Sequence, residues 1–130
     1  MTEHDDRLYL DHIVEAAERI ARSTGNRRSR FFEDVDVQDA TLRRLQTIAE
    51  SSQRLSSELR ARHPEIPWRD VAAFRNRLVH DYLGVDLERA WAVVERDLPP
   101  LVQLARREID VRRGLDRDRS KESPGLDLGR

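Results

Sequence analysis

Cysteine is absent from the 130 residues, which excludes a disulfide framework and a thiolate metal site and suits a reducing, cytoplasmic compartment. Glycine and proline number only five each, too few for a turn-rich β fold. Long apolar runs are missing as well. The longest, Val71 to Phe74 and Ala90 to Val94, fall far short of the roughly 20 residues a bilayer helix needs, so no membrane span is expected. The opening Met1 to Arg7 lacks the basic-then-apolar order of a signal peptide. Charge of one sign is also lacking: 24 basic residues stand against 25 acidic ones. The resulting balance of -1 argues against indiscriminate coating of nucleic acid, yet leaves room for a local positive face. Lys121 is the lone lysine, an imbalance that genome base composition explains as readily as function.

What the chain does contain is 38% hydrophobic and 38% charged residues, the composition of long amphipathic helices in one all-α domain. Leu10, Ile13, Val14, Ala17, Ile20 and Ala21 keep helical spacing from Asp6 to about Ser23, and Gly25 supplies a stop. Residues 26–36, with Arg27, Arg28 and Arg30 on a solvated stretch, read as a loop with one turn anchored by Phe31 and Phe32. Asp36 caps a second helix of about 26 residues that runs to Arg62, with Leu42, Leu45, Ile48, Ala49, Ser52, Leu55 and Leu59 inward. His63-Pro64 ends it, since the residue before proline is pushed out of helical space. Pro67 opens a third helix from Trp68 to about Asp81, and Gly84 breaks it. Asp86 caps a fourth, bent or split at Pro99-Pro100. Trp68 and Trp91 are expected as packing anchors. Residues 1–113 form the helical domain, and the charged stretch 114–130 is expected to be a disordered tail.

The chemistry concentrates at Arg75-Asn76-Arg77-Leu78-Val79-His80-Asp81-Tyr82. At roughly 100° per residue, Val71, Ala72, Leu78, Val79 and Tyr82 fall on one apolar stripe with Arg75 near its middle. A guanidinium cannot shed its charge, so burial there demands a carboxylate, a phosphate or water. Arg75 and Tyr82 share a face, but His80 lies roughly 140° around the axis from Arg75. The three converge only if the helix loosens near His80 or a second copy of the chain contributes. Metal-free RNA cleavage needs a base, an acid and a cation for the phosphate. A twofold dimer supplies two His80 and two Arg75 to one cleft.

The pattern of arginine, four residues, histidine, one residue and tyrosine at Arg75, His80 and Tyr82 resembles the signature of HEPN-domain toxins of the HepT type. His-Pro-Glu-Ile-Pro-Trp at 63–68, Gly-Val-Asp at 84–86, and Trp91 followed by Asp97-Leu98-Pro99 match as well, and the resemblance covers residues 5 to about 110. It implies a HEPN-type helical bundle of four to five helices that forms a homodimer. It also implies a metal-independent endoribonuclease without cofactors, acting on RNA, and a nucleotidyltransferase antitoxin partner that transfers AMP to the motif tyrosine. By that resemblance Arg75 and His80 are catalytic, for phosphate binding and proton transfer, Asn76 supports them, and Tyr82 is the AMP acceptor. The sequence departs from the family at one place. Where the second helix often carries Gly-Glu-Ala, this chain has Ala49-Glu50-Ser51, which keeps a carboxylate that can neutralise Arg75.

Each site residue also has a plain structural role open to it. Arg75 can organise a core with a buried carboxylate, His80 can serve a helix C-terminus, and Tyr82 can pack with its hydroxyl at the surface. His4 and His12 lack a recognised metal spacing. A second functional reading is therefore a non-catalytic helical interaction module that dimerises and presents Tyr82 to a nucleotidyltransferase.

Overall fold

The computed structural model describes the backbone of residues 3–122 and the side chains of residues 6–115 and 117. It is all-α, and among the described residues there is no strand. Helix α1 spans Glu3–Thr24 and buries Leu10, Ile13, Ala16 and Ile20. Its end is set by Gly25 and Asn26, both in the left-handed region at φ 61° and 58°. There the Gly25 amide still donates to Ala21 at 2.8 Å, and the Asn26 amide donates to the Thr24 hydroxyl. The expected loop at 26–36 contains a short helix, α2 (Arg28–Glu33). The Phe31 ring anchors it, fully buried and stacked 5.3 Å from Trp91.

Helix α3 (Val35–Gln53) is capped by Asp34, whose carboxylate accepts from the Asp36 and Val37 amides, and not by Asp36 as expected. All seven residues expected inward from Leu42 to Leu59 are buried. The helix that carries them is nevertheless not continuous. It breaks at residues 54–56 and resumes as α4 (Ser57–Arg62), with the Ser56 hydroxyl capping the Leu59 amide. The cause lies fifty positions away. The buried carboxylate of Asp6 accepts from the Ser56 amide at 2.7 Å and from its hydroxyl at 2.6 Å. These two strong bonds hold Ser56 extended, at φ -62° and ψ 154°.

His63-Pro64 ends α4 as expected, and α5 (Trp68–His80) follows. The Trp68 indole N–H donates to the Arg60 and His63 carbonyls across that elbow. After α5, Asp81 leaves helical space at φ -143° and a 3-10 turn covers Tyr82–Gly84. Gly84 matters here by proximity. A Cβ on it would lie 2.5 Å from the Asp81 carboxylate oxygens. Asp86 caps α6 (Leu87–Ala92) as expected. The split at the prolines takes the form of a π-helical segment, Val93–Asp97, before α7 (Leu98–Glu122). Pro99 and Pro100 then occupy the first turn of α7, where missing N–H groups leave no gap in its ladder.

Helix α7 runs to Glu122, past the expected end at about Arg113, so 114–122 is helical where a disordered tail is expected. The rest of that stretch, 123–130, lies outside the described residues. One core joins Leu10, Ile13, Leu45, Phe74, Trp91 and Leu104, with α1 packed on α3 and α7, and α3 packed on α5. Among the described residues no helix is long and apolar enough to cross a membrane.

Candidate active site

Helix α5 carries the motif, and its seating on α3 decides where each side chain goes. The buried residues are Phe74 and Leu78, one turn apart, while Val71 and Ala72 are half-buried. The stripe centred on Arg75 is therefore corrected: Phe74 leads the inward face and Arg75 sits at its flank. Val79 and Tyr82, expected on the core side, are exposed at 38% and 36%. The physical reason is that α5 meets α3 along the Phe74–Leu78 line, and Arg75 is rotated roughly 100° from Phe74.

That flank faces a polar row on α3. Asp39, Arg43, Gln46 and Glu50 recur at helical spacing, and Asp39 and Glu50 are separated by about 16 Å along the axis. The two helices run antiparallel, so the start of the motif meets the end of the row. Arg75 NH2 lies 3.4 Å from Glu50 Oε2, with side chains 32% and 38% exposed. Arg75 NH1 donates to Asn76 Oδ1 at 3.3 Å. Its Nε is buried without a hydrogen-bond partner among the described residues. At the other end of the row the Tyr82 hydroxyl donates to Asp39 Oδ1 at 3.4 Å. Burial first, and then the Asp39 carboxylate, push the Tyr82 phenol above its ordinary pKa.

His80 is the last residue of α5 and is exposed. It makes no hydrogen bond or ion pair to Arg75 or Tyr82. The helix stays regular up to His80, so the angular separation from Arg75 persists and within one chain the three side chains do not converge. Glu50, read from the sequence as able to neutralise Arg75, does pair with it. Asp39, Arg43 and Gln46 were not legible as site residues. Only their spacing with Glu50 on α3 could have flagged them.

Two other features compete for attention. A cavity of about 150 Å³ is lined by Leu45, Val71, Phe74 and Leu101 together with Asp70, Arg89 and Asp97, and no motif residue reaches it. With core side chains for walls and two carboxylates against one guanidinium, it is ill suited to a phosphate. The second is a buried polar cluster. His63 Nε2 and Glu108 Oε2 are 2.7 Å apart, and Arg112 NH1 donates to Glu108 Oε1 at 2.7 Å. Arg62 NH2 reaches the same oxygen at 3.0 Å, and Arg112 NH2 lies 3.6 Å from Asp6. Burial pushes the Glu108 carboxyl up, but the hydrogen bonds from His63, Arg112 and Arg62 outweigh it and bring it down to about 2. This cluster ties α1, α4 and α7 together. Among the described residues no group of histidines and carboxylates is arranged to hold a metal ion.

An all-helical bundle with a part-exposed arginine midway along one helix, an exposed histidine at its end and a tyrosine in the turn that follows is the class that fold and site define. A family model described as ribonuclease HepT-like matches residues 13–108, and the chain belongs to that HepT-like ribonuclease family. It is 40% identical over 97 residues to a protein named "Probable ribonuclease HepT" from Thermococcus cleftensis, covering 72% of this chain and 86% of that one. It is 39% identical over 98 residues to a Methanocaldococcus jannaschii protein named "Gamma-glutamylcyclotransferase and putative RNase". That match covers 75% of this chain but only 44% of the relative, so the chain spans less than half of that longer protein. No solved structure matches the chain.

Proposed function

We propose that the chain is a metal-independent endoribonuclease, the toxin of a toxin–antitoxin pair, acting as a homodimer. Arg75 receives the scissile phosphodiester and His80 transfers protons. The ribose 2′-hydroxyl attacks the adjacent phosphorus as its proton passes to a base, and the bond to the 5′-oxygen breaks as that oxygen takes a proton from an acid. The products are a 2′,3′-cyclic phosphate and a 5′-hydroxyl. One chain offers a single His80, so base and acid come from two copies related by a twofold axis. Asn76 steadies the Arg75 guanidinium through their hydrogen bond.

The antitoxin is a nucleotidyltransferase. The Tyr82 oxygen attacks the α-phosphorus of ATP, pyrophosphate leaves, and the AMP ester adds bulk and negative charge on the face that Arg75 shares. The carrying observation is that the guanidinium of Arg75, its side chain about a third exposed, and the exposed His80 both lie inside the segment matched to the ribonuclease family. The experiment is RNA digestion in EDTA by wild type and His80→Ala. Cleavage to cyclic-phosphate ends by wild type alone supports the reading, and equal cleavage by both overturns it. Intact RNA with both, together with AMP added to Tyr82 by the partner and ATP, favours the interaction module.

A further inference from the structure

We infer that Glu50 is the resting occupant of the phosphate seat on Arg75, and that RNA must displace it to bind. This rests on the reading of Arg75 as the phosphate receiver. A guanidinium offers an oxyanion two forked edges, NH1 with NH2 at its tip and Nε with NH2 along its side. NH2 belongs to both. In Arg75 the Nε is closed off from solvent, which leaves the tip as the accessible edge. There NH2 faces Glu50 Oε2 at 3.4 Å and NH1 is held by Asn76 Oδ1 at 3.3 Å. A phosphodiester seated on that edge competes with the Glu50 carboxylate for NH2 and meets its negative charge.

The occupant is lightly held. Its only other hydrogen bond among the described residues comes from Gln46 Nε2, at 3.4 Å to the same oxygen. Both members of the pair are about a third exposed, so water and salt screen it. The contrast with Asp6 is informative, because that carboxylate is sealed and bound at 2.6 and 2.7 Å. Glu50 keeps Arg75 aligned and neutralised when no RNA is present, and repels the phosphate as it arrives. It is a residue that sets affinity, not one that moves protons.

The test is anisotropy binding of a labelled single-stranded 2′-O-methyl oligoribonucleotide, which lacks the attacking hydroxyl. The proteins are wild type, Glu50→Gln, Arg75→Ala and the double variant, each checked for folding by thermal melting. Removing one screened, partly exposed charge tightens binding by roughly three- to fivefold in Glu50→Gln, and has no such effect in the Arg75→Ala background. On cleavable RNA the same variant lowers KM. Equal tightening in both backgrounds would mean a general charge effect and overturns the inference, as does weaker binding by Glu50→Gln. An Arg75→Ala protein that binds as well as wild type sinks the phosphate reading itself, and is distinguishable from failure of the Glu50 step.

Discussion

Two polar clusters on the same bundle are built to opposite standards. The one joining Asp6, Ser56, Arg112, Glu108, His63 and Arg62 is largely buried, and its principal bonds are 2.6 to 3.0 Å long. The one along α3 and α5 joins Glu50 to Arg75 and Asp39 to Tyr82 at 3.4 Å each, at the protein surface. Short bonds among mostly buried groups fix helices in place, because breaking one leaves a buried polar group unpaired. Long bonds in a wet site are replaceable, and replacement is what a ligand requires. The difference separates the part of the molecule that holds the fold from the part available for chemistry, although both are made of arginines and carboxylates.

Variants in each cluster should therefore move different quantities. The largest effect falls on the open side. His80→Ala is expected to lower the cleavage rate by about 10² to 10⁴, the usual worth of a proton-transfer group, with an unchanged melting temperature. A matching loss of stability would assign His80 to the fold instead. On the sealed side, Asp6→Ala leaves the Ser56 amide and hydroxyl without the carboxylate that accepts from both, while Arg112 keeps Glu108. It should destabilise the protein by roughly 3 to 5 kcal/mol, at about 1.5 to 3 for each charge-assisted bond lost, read by urea denaturation. A change within the scatter of surface substitutions would erase the distinction between the clusters.

Acid titration sharpens it further. Glu108 is held at about 2 in the folded protein against 4.5 for the free side chain. Its contribution is thus fully present above pH 4.5 and is lost as pH falls toward 2. Wild type should exceed Glu108→Gln in stability by on the order of 3 kcal/mol near neutral pH, with the gap closing across that acid window. A gap independent of pH would show that packing, not ionisation, carries the effect. The smallest expected change is at Asp39. Asp39→Asn in a Tyr9→Phe background should lower the Tyr82 phenol pKa part of the way toward its ordinary value, followed by ultraviolet titration, because the carboxylate charge is gone while the larger effect of burial remains. No movement would detach Tyr82 from the α3 row.

Much of the fold was legible because helical periodicity is a local property. The inward residues from Leu42 to Leu59 were readable one by one, and so were the stops at Gly25 and His63-Pro64 and the cap at Asp86. The break at residues 54–56 was not, since apolar spacing carries on across it and its cause is a carboxylate on another helix. The candidate site was half legible. The motif announced Arg75, His80 and Tyr82, but the stripe drawn through Arg75 passed over Phe74, and the row on α3 emerges only when α5 is laid against it.

The sequence by itself determined the all-α class, the long helical segments and most of their ends, and membership of a ribonuclease family. These follow from the identity of near neighbours in the chain. Tertiary structure alone decided that Arg75 stands at the flank of its helix and not in the core, that Glu50 and Asp39 meet the two ends of the motif, and that Asp6 severs α3 from α4. Each of these depends on which face of one helix meets which face of another. Packing of whole side chains across the bundle sets that choice, and residues far apart in sequence enter it together.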